Sequence, residues 1–117
     1  MNSEELKLRT KKFALEVIRF TESMPRARAA DVLAKQLTRS ATSIGANYRA
    51  ACRARSKADF VSKITIVEEE ADESLYWLEL IADSQLVRSE SLSSLMKEAN
   101  ELTAIFTSSG KTARWNK

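Results

Sequence analysis

Apolar residues recur at alternating spacings of three and four along nearly the whole chain, with polar residues between them. This spacing places the apolar side chains on one face of an α-helix. It predicts four amphipathic helices, over approximately residues 3–23, 28–55, 57–84 and 90–109. Their main apolar stripes are Leu6, Thr10, Phe13, Val17, Phe20, Met24; Leu33, Leu37, Ala41, Ile44, Tyr48, Ala51 or Cys52; Phe60, Ile64, Val67, Ala71, Ser74, Leu78, Ile81; and Leu92, Leu95, Ala99, Leu102, Phe106.

Local signals at the helix ends support these boundaries. Pro25 disfavours helical geometry at the residue before it, and so is expected to end the first helix. Ser56 can begin the third helix, because its side chain can accept a hydrogen bond from a backbone N–H of the first turn. The other helix starts also have capping residues available, Asn2 or Ser3 for the first helix and Ser89 or Ser91 for the fourth.

Gly110 is expected to stop the fourth helix, since glycine is common just beyond helix C-termini. The sequence therefore predicts one domain over residues 1–110 and a polar tail over residues 111–117. Either this tail is expected to be disordered, or its Trp115 is expected to dock on a neighbouring molecule. Four amphipathic helices joined by short corners, with no strand signal, predict an all-α fold, an antiparallel up-and-down four-helix bundle.

The second half of the third helix is apolar on most of its circumference, from Leu75 to Ala82. A helix in a monomeric four-helix bundle buries only one side, so this pattern indicates an additional partner surface and an oligomer. Trp77 and Leu80 are the residues expected to contact another subunit.

The second helix carries many small residues beside its main stripe. Gly45 in its interior indicates either a close approach of a neighbouring helix or a local kink, and we prefer the close approach. The polar residues Arg39, Ser43 and Asn47 share one face of this helix, and Asn47 is expected to be a hydrogen-bonding position. Cys52 is expected to be a small buried residue.

Charge is strongly segregated along the chain, although the net charge is only +3. Residues 25–63 hold nine basic and two acidic side chains, whereas residues 64–90 hold one basic and eight acidic side chains. Two explanations are open: neighbouring helices neutralise each other, or one surface stays basic for an anionic partner. The basic cluster expected to bind nucleic acid is Arg49, Arg53, Arg55, Lys57 and Lys63.

The composition gives little support to catalysis. The chain has no histidine, which removes the commonest general base and transition-metal ligand, and its two glycines are too far apart for a phosphate-binding loop. The carboxylates of the third helix are expected to be solvated or ion-paired, and a carboxylate metal site is a remote alternative. We therefore expect a protein that is not an enzyme and has no cofactor or metal.

The sequence has no run of about 20 apolar residues, the length needed to span a membrane. The protein is therefore expected to avoid the membrane and to be cytoplasmic.

Three segments resemble the four-helix-bundle proteins encoded in bacterial 23S ribosomal RNA intervening sequences. They are QLTRSATSIGAN (residues 36–47), RSKADF (residues 55–60) and IVEEEADESLYWLEL (residues 66–80). The resemblance implies an antiparallel bundle, a ring-shaped homopentamer and kinship to the accessory protein of diversity-generating retroelements, which associates with nucleic acid. Many members of this family have an acidic residue and a glycine at the positions that Ala50 and Ala51 occupy in this chain. The polar positions that do match the family pattern are Arg39, Ser43 and Asn47.

Together, these features predict a homo-oligomeric bundle that binds RNA or a nucleoprotein near the corner between the second and third helices. The alternative is a scaffold or adaptor for partner proteins that has no role with nucleic acid. In the alternative, the basic helix only neutralises the acidic one.

Overall fold

In a computed structural model that describes residues 1–115, the chain forms four helices: α1 (Ser3–Glu22), α2 (Arg28–Cys52), α3 (Lys57–Asp83) and α4 (Glu90–Trp115). No strand occurs among these residues. Each helix packs against the next in the chain, and α4 also contacts α1, so the four helices form an antiparallel up-and-down bundle. The bundle measures 48 × 23 × 20 Å, and none of its helices over residues 1–115 has the length and apolarity needed to cross a membrane.

Side chains cap three of the helix starts at residues that the sequence analysis named. The Asn2 side-chain oxygen accepts a hydrogen bond from the Glu5 backbone N–H at 2.9 Å. The Ser56 hydroxyl accepts from the Asp59 N–H at 3.0 Å, and the Ser89 hydroxyl from the Leu92 N–H at 3.2 Å. Each cap satisfies an N–H that has no partner within its own helix, which confirms these predicted starts.

The apolar stripes form the core, as predicted. Leu33 and Phe60 lie at its edge and are only partly buried, while the other stripe residues are buried. The Tyr48 and Phe106 rings pack with their centroids 5.3 Å apart, so Tyr48 belongs to the core and is not a stacking platform at the surface. Tyr48 is buried, and burial raises the pKa of its hydroxyl above the ordinary value.

The helices α1 and α2 come close together at Gly45. A Cβ at this position would lie 3.1 Å from the Thr10 Oγ1 atom, which is closer than such contacts normally come. The helix continues on both sides of Gly45. The close-approach interpretation of this glycine is therefore confirmed.

Two predictions about the helix ends were wrong. The second helix ends at Cys52, not near Arg55, and Cys52 is exposed because the buried stripe passes through Ala51 in the last turn. The fourth helix does not stop at Gly110 but continues to Trp115.

Gly110 is buried inside α4, and its role is to leave space. A Cβ there would lie 3.1 Å from the Glu68 Oε2 atom and 3.3 Å from the Arg114 guanidinium. Arg114 pairs with Glu68 at 3.4 Å and donates a hydrogen bond to the Thr65 hydroxyl at 3.0 Å. The predicted polar tail is therefore helical over residues 111–115, where Trp115 is exposed, and residues 116–117 lie outside the described part of the chain.

Candidate nucleic-acid interface

The antiparallel order brings the start of α1, the end of α2, the start of α3 and the end of α4 to one end of the bundle, which we call the corner end. Residues 1–12, 46–63 and 104–115 make up this end, with eleven basic and three acidic side chains. Arg9 is paired with Glu98 and Glu101 on α4, and Arg114 with Glu68. The remaining excess of positive charge makes the corner end the most basic surface of the molecule.

Arg49 and Arg53 lie at the end of α2 and are both exposed. Among residues 1–115, neither forms a salt bridge with a carboxylate. Their spacing of four residues places them on the same side of the helix. Neutralisation by the acidic third helix, one of the two explanations of the charge pattern, therefore does not apply to these two arginines.

A groove of about 540 Å³ separates α1 from α2 beside these arginines. Lys7 and Lys11 of α1 line it opposite Arg49 and Arg53, and Glu4 pairs with Lys7 at 3.1 Å. The other lining residues are mostly small: Ala14, Thr42, Gly45 and Ala46, with Thr10 and Leu8.

Lys7 and Lys11 were absent from the predicted site. The signal that could have found them is their spacing of four residues on the flank of α1 that faces α2, which matches the spacing of the two arginines. Four cations on two antiparallel helices thus border one groove, and three of the four have no carboxylate partner within residues 1–115.

The other predicted basic residues lie around the corner itself. Arg55 is in the connection between α2 and α3, and Lys57 is the first residue of α3; both are exposed. Lys63 pairs with Asp59, which also accepts a hydrogen bond from the Arg55 backbone N–H at 3.1 Å. The hydrogen bond from Lys63 makes the larger contribution to lowering the pKa of the Asp59 carboxyl, and the hydrogen bond from the Arg55 backbone lowers it further.

A second depression, of about 510 Å³, is lined by Ala50, Arg53, Arg55, Asp59 and Lys63. Arg53 borders both depressions, so the basic surface continues from α1 across α2 to the corner. The charge of Lys63 is partly compensated by Asp59, whereas those of Arg53 and Arg55 have no such partner within residues 1–115.

Arg39 has a different role from the arginines at the corner end. Its guanidinium forms a two-pronged pair with Glu70 on α3, at 2.9 and 3.1 Å, and also donates to Glu73. These hydrogen bonds raise the pKa of Arg39. Arg39 therefore links α2 to α3.

The carboxyl of Glu73 is held in its ionised form. Burial opposes its ionisation, but hydrogen bonds from Arg39 and from the Trp77 indole N–H, the latter at 3.2 Å, outweigh burial and lower its pKa. Three carboxylates of the acidic helix are thus ion-paired: Glu70 and Glu73 with Arg39, and Glu68 with Arg114. No group of three or more metal-ligating side chains is arranged around a common point in residues 1–115.

The other two motif positions bond within α2. The Ser43 hydroxyl donates to the Arg39 carbonyl at 2.7 Å, and the Asn47 side-chain amide donates to the Ser43 carbonyl at 2.8 Å. Both side chains are half-buried.

The residues predicted to contact another subunit are half-buried. Trp77 packs against the core of its own bundle, and its ring lies 5.2 Å from that of Tyr76. Tyr76 is the more exposed of the two aromatic residues, at 51%. Leu80 is half-buried one turn beyond Tyr76.

Comparison with known proteins agrees with the resemblance seen in the sequence. The family model described as 23S rRNA-intervening sequence protein matches residues 4–108. A crystal structure of a protein with unknown function from the S23 ribosomal protein family of Bacteroides thetaiotaomicron is 34% identical, with a TM-score of 0.85, over 96% of this chain and 100% of that one. None of the curated proteins matches significantly. The chain belongs to the 23S rRNA-intervening sequence protein family.

Proposed function

We propose that this protein is a non-enzymatic homo-oligomer that binds RNA, free or within a nucleoprotein, through the basic surface at the corner end. The observation that carries the proposal is that Arg49 and Arg53 have no carboxylate partner among residues 1–115, although an acidic helix lies next to α2. RNA as the ligand also implies a cytoplasmic location.

The arrangement suits a phosphate backbone better than a small substrate. The cations lie along the borders of an open groove and around the corner, so they can follow a chain of charges. Small residues on the floor allow close approach, and each phosphate neutralised by lysine or arginine releases counterions from the nucleic acid. The sequence has no histidine, so a role based on electrostatics is better supported than catalysis.

Self-association would multiply these contacts. A ring of five copies, the number implied by the resemblance to the family, would present five basic surfaces to one RNA, and weak sites joined in this way bind with greater avidity. Trp77 and Leu80 are the residues we assign to contacts between copies.

The test is RNA affinity measured against salt concentration for the wild type and the double variant Arg49→Gln/Arg53→Gln. A labelled single strand of about 20 nucleotides is suitable, because it spans several phosphates. We expect roughly tenfold weaker binding at low salt and a salt slope smaller by about 1.4, since each phosphate contact to single strands contributes about 0.7.

The matched control is Arg26→Gln/Arg28→Gln, which removes two exposed arginines at the opposite end of the bundle, one in the connection before α2 and one at the first residue of α2. It should leave both affinity and slope near wild-type values. Equal losses in the two double variants, or a wild-type affinity that ignores salt, would contradict the proposal. A wild type that assembles but binds no RNA would favour the adaptor function instead.

A further inference from the structure

The outer face of α3 combines exposed apolar residues with carboxylates that form no salt bridge within residues 1–115. We define this face as Ile66, Glu69, Asp72, Tyr76 and Glu79, which recur every three or four residues and so share one side of the helix. Ile66 is 40% and Tyr76 is 51% exposed. None of the three carboxylates forms a salt bridge within residues 1–115, in contrast to Glu68, Glu70 and Glu73 of the same helix.

The outer face of α1 has the opposite charge and a similar apolar content. We define this face as Leu8, Lys12, Leu15, Ile18 and Arg19. The three apolar residues are between 39% and 70% exposed, and Lys12 and Arg19 are exposed without a salt bridge to any of the described residues. Leu8 lies at the rim shared with the groove, whereas Lys12, Leu15, Ile18 and Arg19 do not line it.

The two faces match in spacing as well as in charge. Lys12 and Arg19 are seven residues apart and flank Leu15, and Asp72 and Glu79 are seven residues apart and flank Tyr76. Seven helical residues span about 10.5 Å. If Leu15 packs against Tyr76 in antiparallel helices, Lys12 lies opposite Glu79 and Arg19 lies opposite Asp72. In parallel helices, Lys12 lies within one residue of Asp72 and Arg19 within one residue of Glu79.

Pairing of identical faces is disfavoured. Two α3 faces would place carboxylates against carboxylates, and two α1 faces would place cations against cations. The helices α1 and α3 do not contact each other, because they lie diagonally across the bundle. One copy therefore presents the two faces on opposite sides, as a head-to-tail contact requires, and such contacts can close into a ring.

We propose that the outer face of α3 in one copy binds the outer face of α1 in the next copy, with Tyr76 and Leu15 at the centre of the contact and the half-buried Trp77 and Leu80 at its edge. This inference rests on the self-association proposed above and is independent of RNA binding. The contact reaches the rim of the groove between α1 and α2 at Leu8, but the four cations of the groove, Lys7, Lys11, Arg49 and Arg53, lie outside both faces.

The test uses two single variants, Tyr76→Glu on one face and Leu15→Glu on the other, with mass measured by sedimentation equilibrium. Val32→Glu is the matched control, since Val32 is 54% exposed and lies on neither face. Each interface variant should fall to the chain mass of 13.1 kDa, while the control keeps the wild-type mass. Circular dichroism checks that each variant remains helical.

Mixing the two variants gives the sharpest result. Each retains one intact face, so an equimolar mixture should form a heterodimer of twice the chain mass and nothing larger. A wild type that assembles while either variant keeps its mass, or two monomeric variants that form no heterodimer, would overturn this inference and leave self-association standing. A monomeric wild type would overturn both, and the RNA measurement would still stand by itself.

Discussion

The two flanks of α2 are held to their neighbours in different ways. On the α3 side, Arg39 pairs with Glu70 and Glu73, and a buried hydrogen bond joins the Ser74 and Ser40 hydroxyls at 2.9 Å. On the α1 side, Gly45 lets Thr10 come close, and both residues line the basic groove. Ion pairs and a buried hydrogen bond join α2 to α3, whereas a close contact at Gly45 and an open basic groove lie on the α1 side.

The comparison shows that opposite charge on neighbouring helices does not decide which residues pair. Arg39 and Arg49 are ten residues apart on the same helix, yet only Arg39 reaches the carboxylates of α3. Arg49 lies towards α1, where the nearby groove residues include two lysines. The flank on which an arginine lies therefore decides whether it stabilises the fold or stays available to a ligand.

The largest expected effect comes from replacing Gly45 with leucine. A Cβ alone would come within 3.1 Å of Thr10 Oγ1, whose hydroxyl already donates to the Leu6 carbonyl at 2.8 Å. Forcing a larger side chain into this contact typically lowers the free energy of unfolding by about 1–3 kcal/mol. Denaturant unfolding followed by circular dichroism measures the change.

The neighbouring substitution Ala46→Leu is the control for this prediction, because Ala46 is exposed and borders the groove without the close contact. It should change the unfolding free energy by less than about 0.5 kcal/mol. Equal effects at the two positions would show that the close approach at Gly45 does not determine how α1 packs on α2.

A smaller effect is expected on the other flank from Ser74→Ala. The change removes a hydrogen bond between α2 and α3 but strands no buried group, because the Ser40 hydroxyl still donates to the Leu37 carbonyl at 3.2 Å. The unfolding free energy should fall by about 0.5–1.5 kcal/mol. Ser62→Ala, at an exposed site on the same helix, corrects for the better helix propensity of alanine; a loss no greater than in this control would contradict the prediction.

Most of the fold could be predicted because helical periodicity and capping are local properties of the sequence. Pro25 and Ser56 act on the residues beside them, so the boundaries near them were predicted within a few residues. Gly110 shows the limit of such reasoning. A glycine that ends a helix and one that makes room for another helix have the same sequence signal, and only the position of Glu68 distinguishes them.

The candidate site was only partly predictable, because its residues come from different helices. Arg49, Arg53 and Arg55 are close in the sequence and were found together. Lys7 and Lys11 join them only because α1 packs against α2, which no local pattern shows. For the same reason, the sequence alone does not distinguish paired from free cations, since that depends on the flank that each arginine occupies.

The smallest predicted effect is that of Arg39→Gln on stability, compared with Arg49→Gln. Arg39 is partly exposed, and ion pairs of this kind contribute about 0.2–1 kcal/mol, whereas Arg49 has no carboxylate partner within residues 1–115. We therefore expect a small loss of unfolding free energy for Arg39→Gln, reduced by high salt, and none for Arg49→Gln. An equal loss in the two variants would remove the distinction between the two flanks.

The pH dependence of this loss identifies its source. The pKa of Glu73 is lowered in the folded protein from its ordinary value of 4.5, so the stabilisation is complete above that value and disappears as the pH falls through the folded pKa. The difference in unfolding free energy between wild type and Arg39→Gln should accordingly be constant near neutral pH and shrink in acid. Denaturant unfolding at a series of pH values measures it. A difference that stays the same in acid would mean that Arg39 stabilises the bundle by packing of its aliphatic stem and not through the carboxylates of α3.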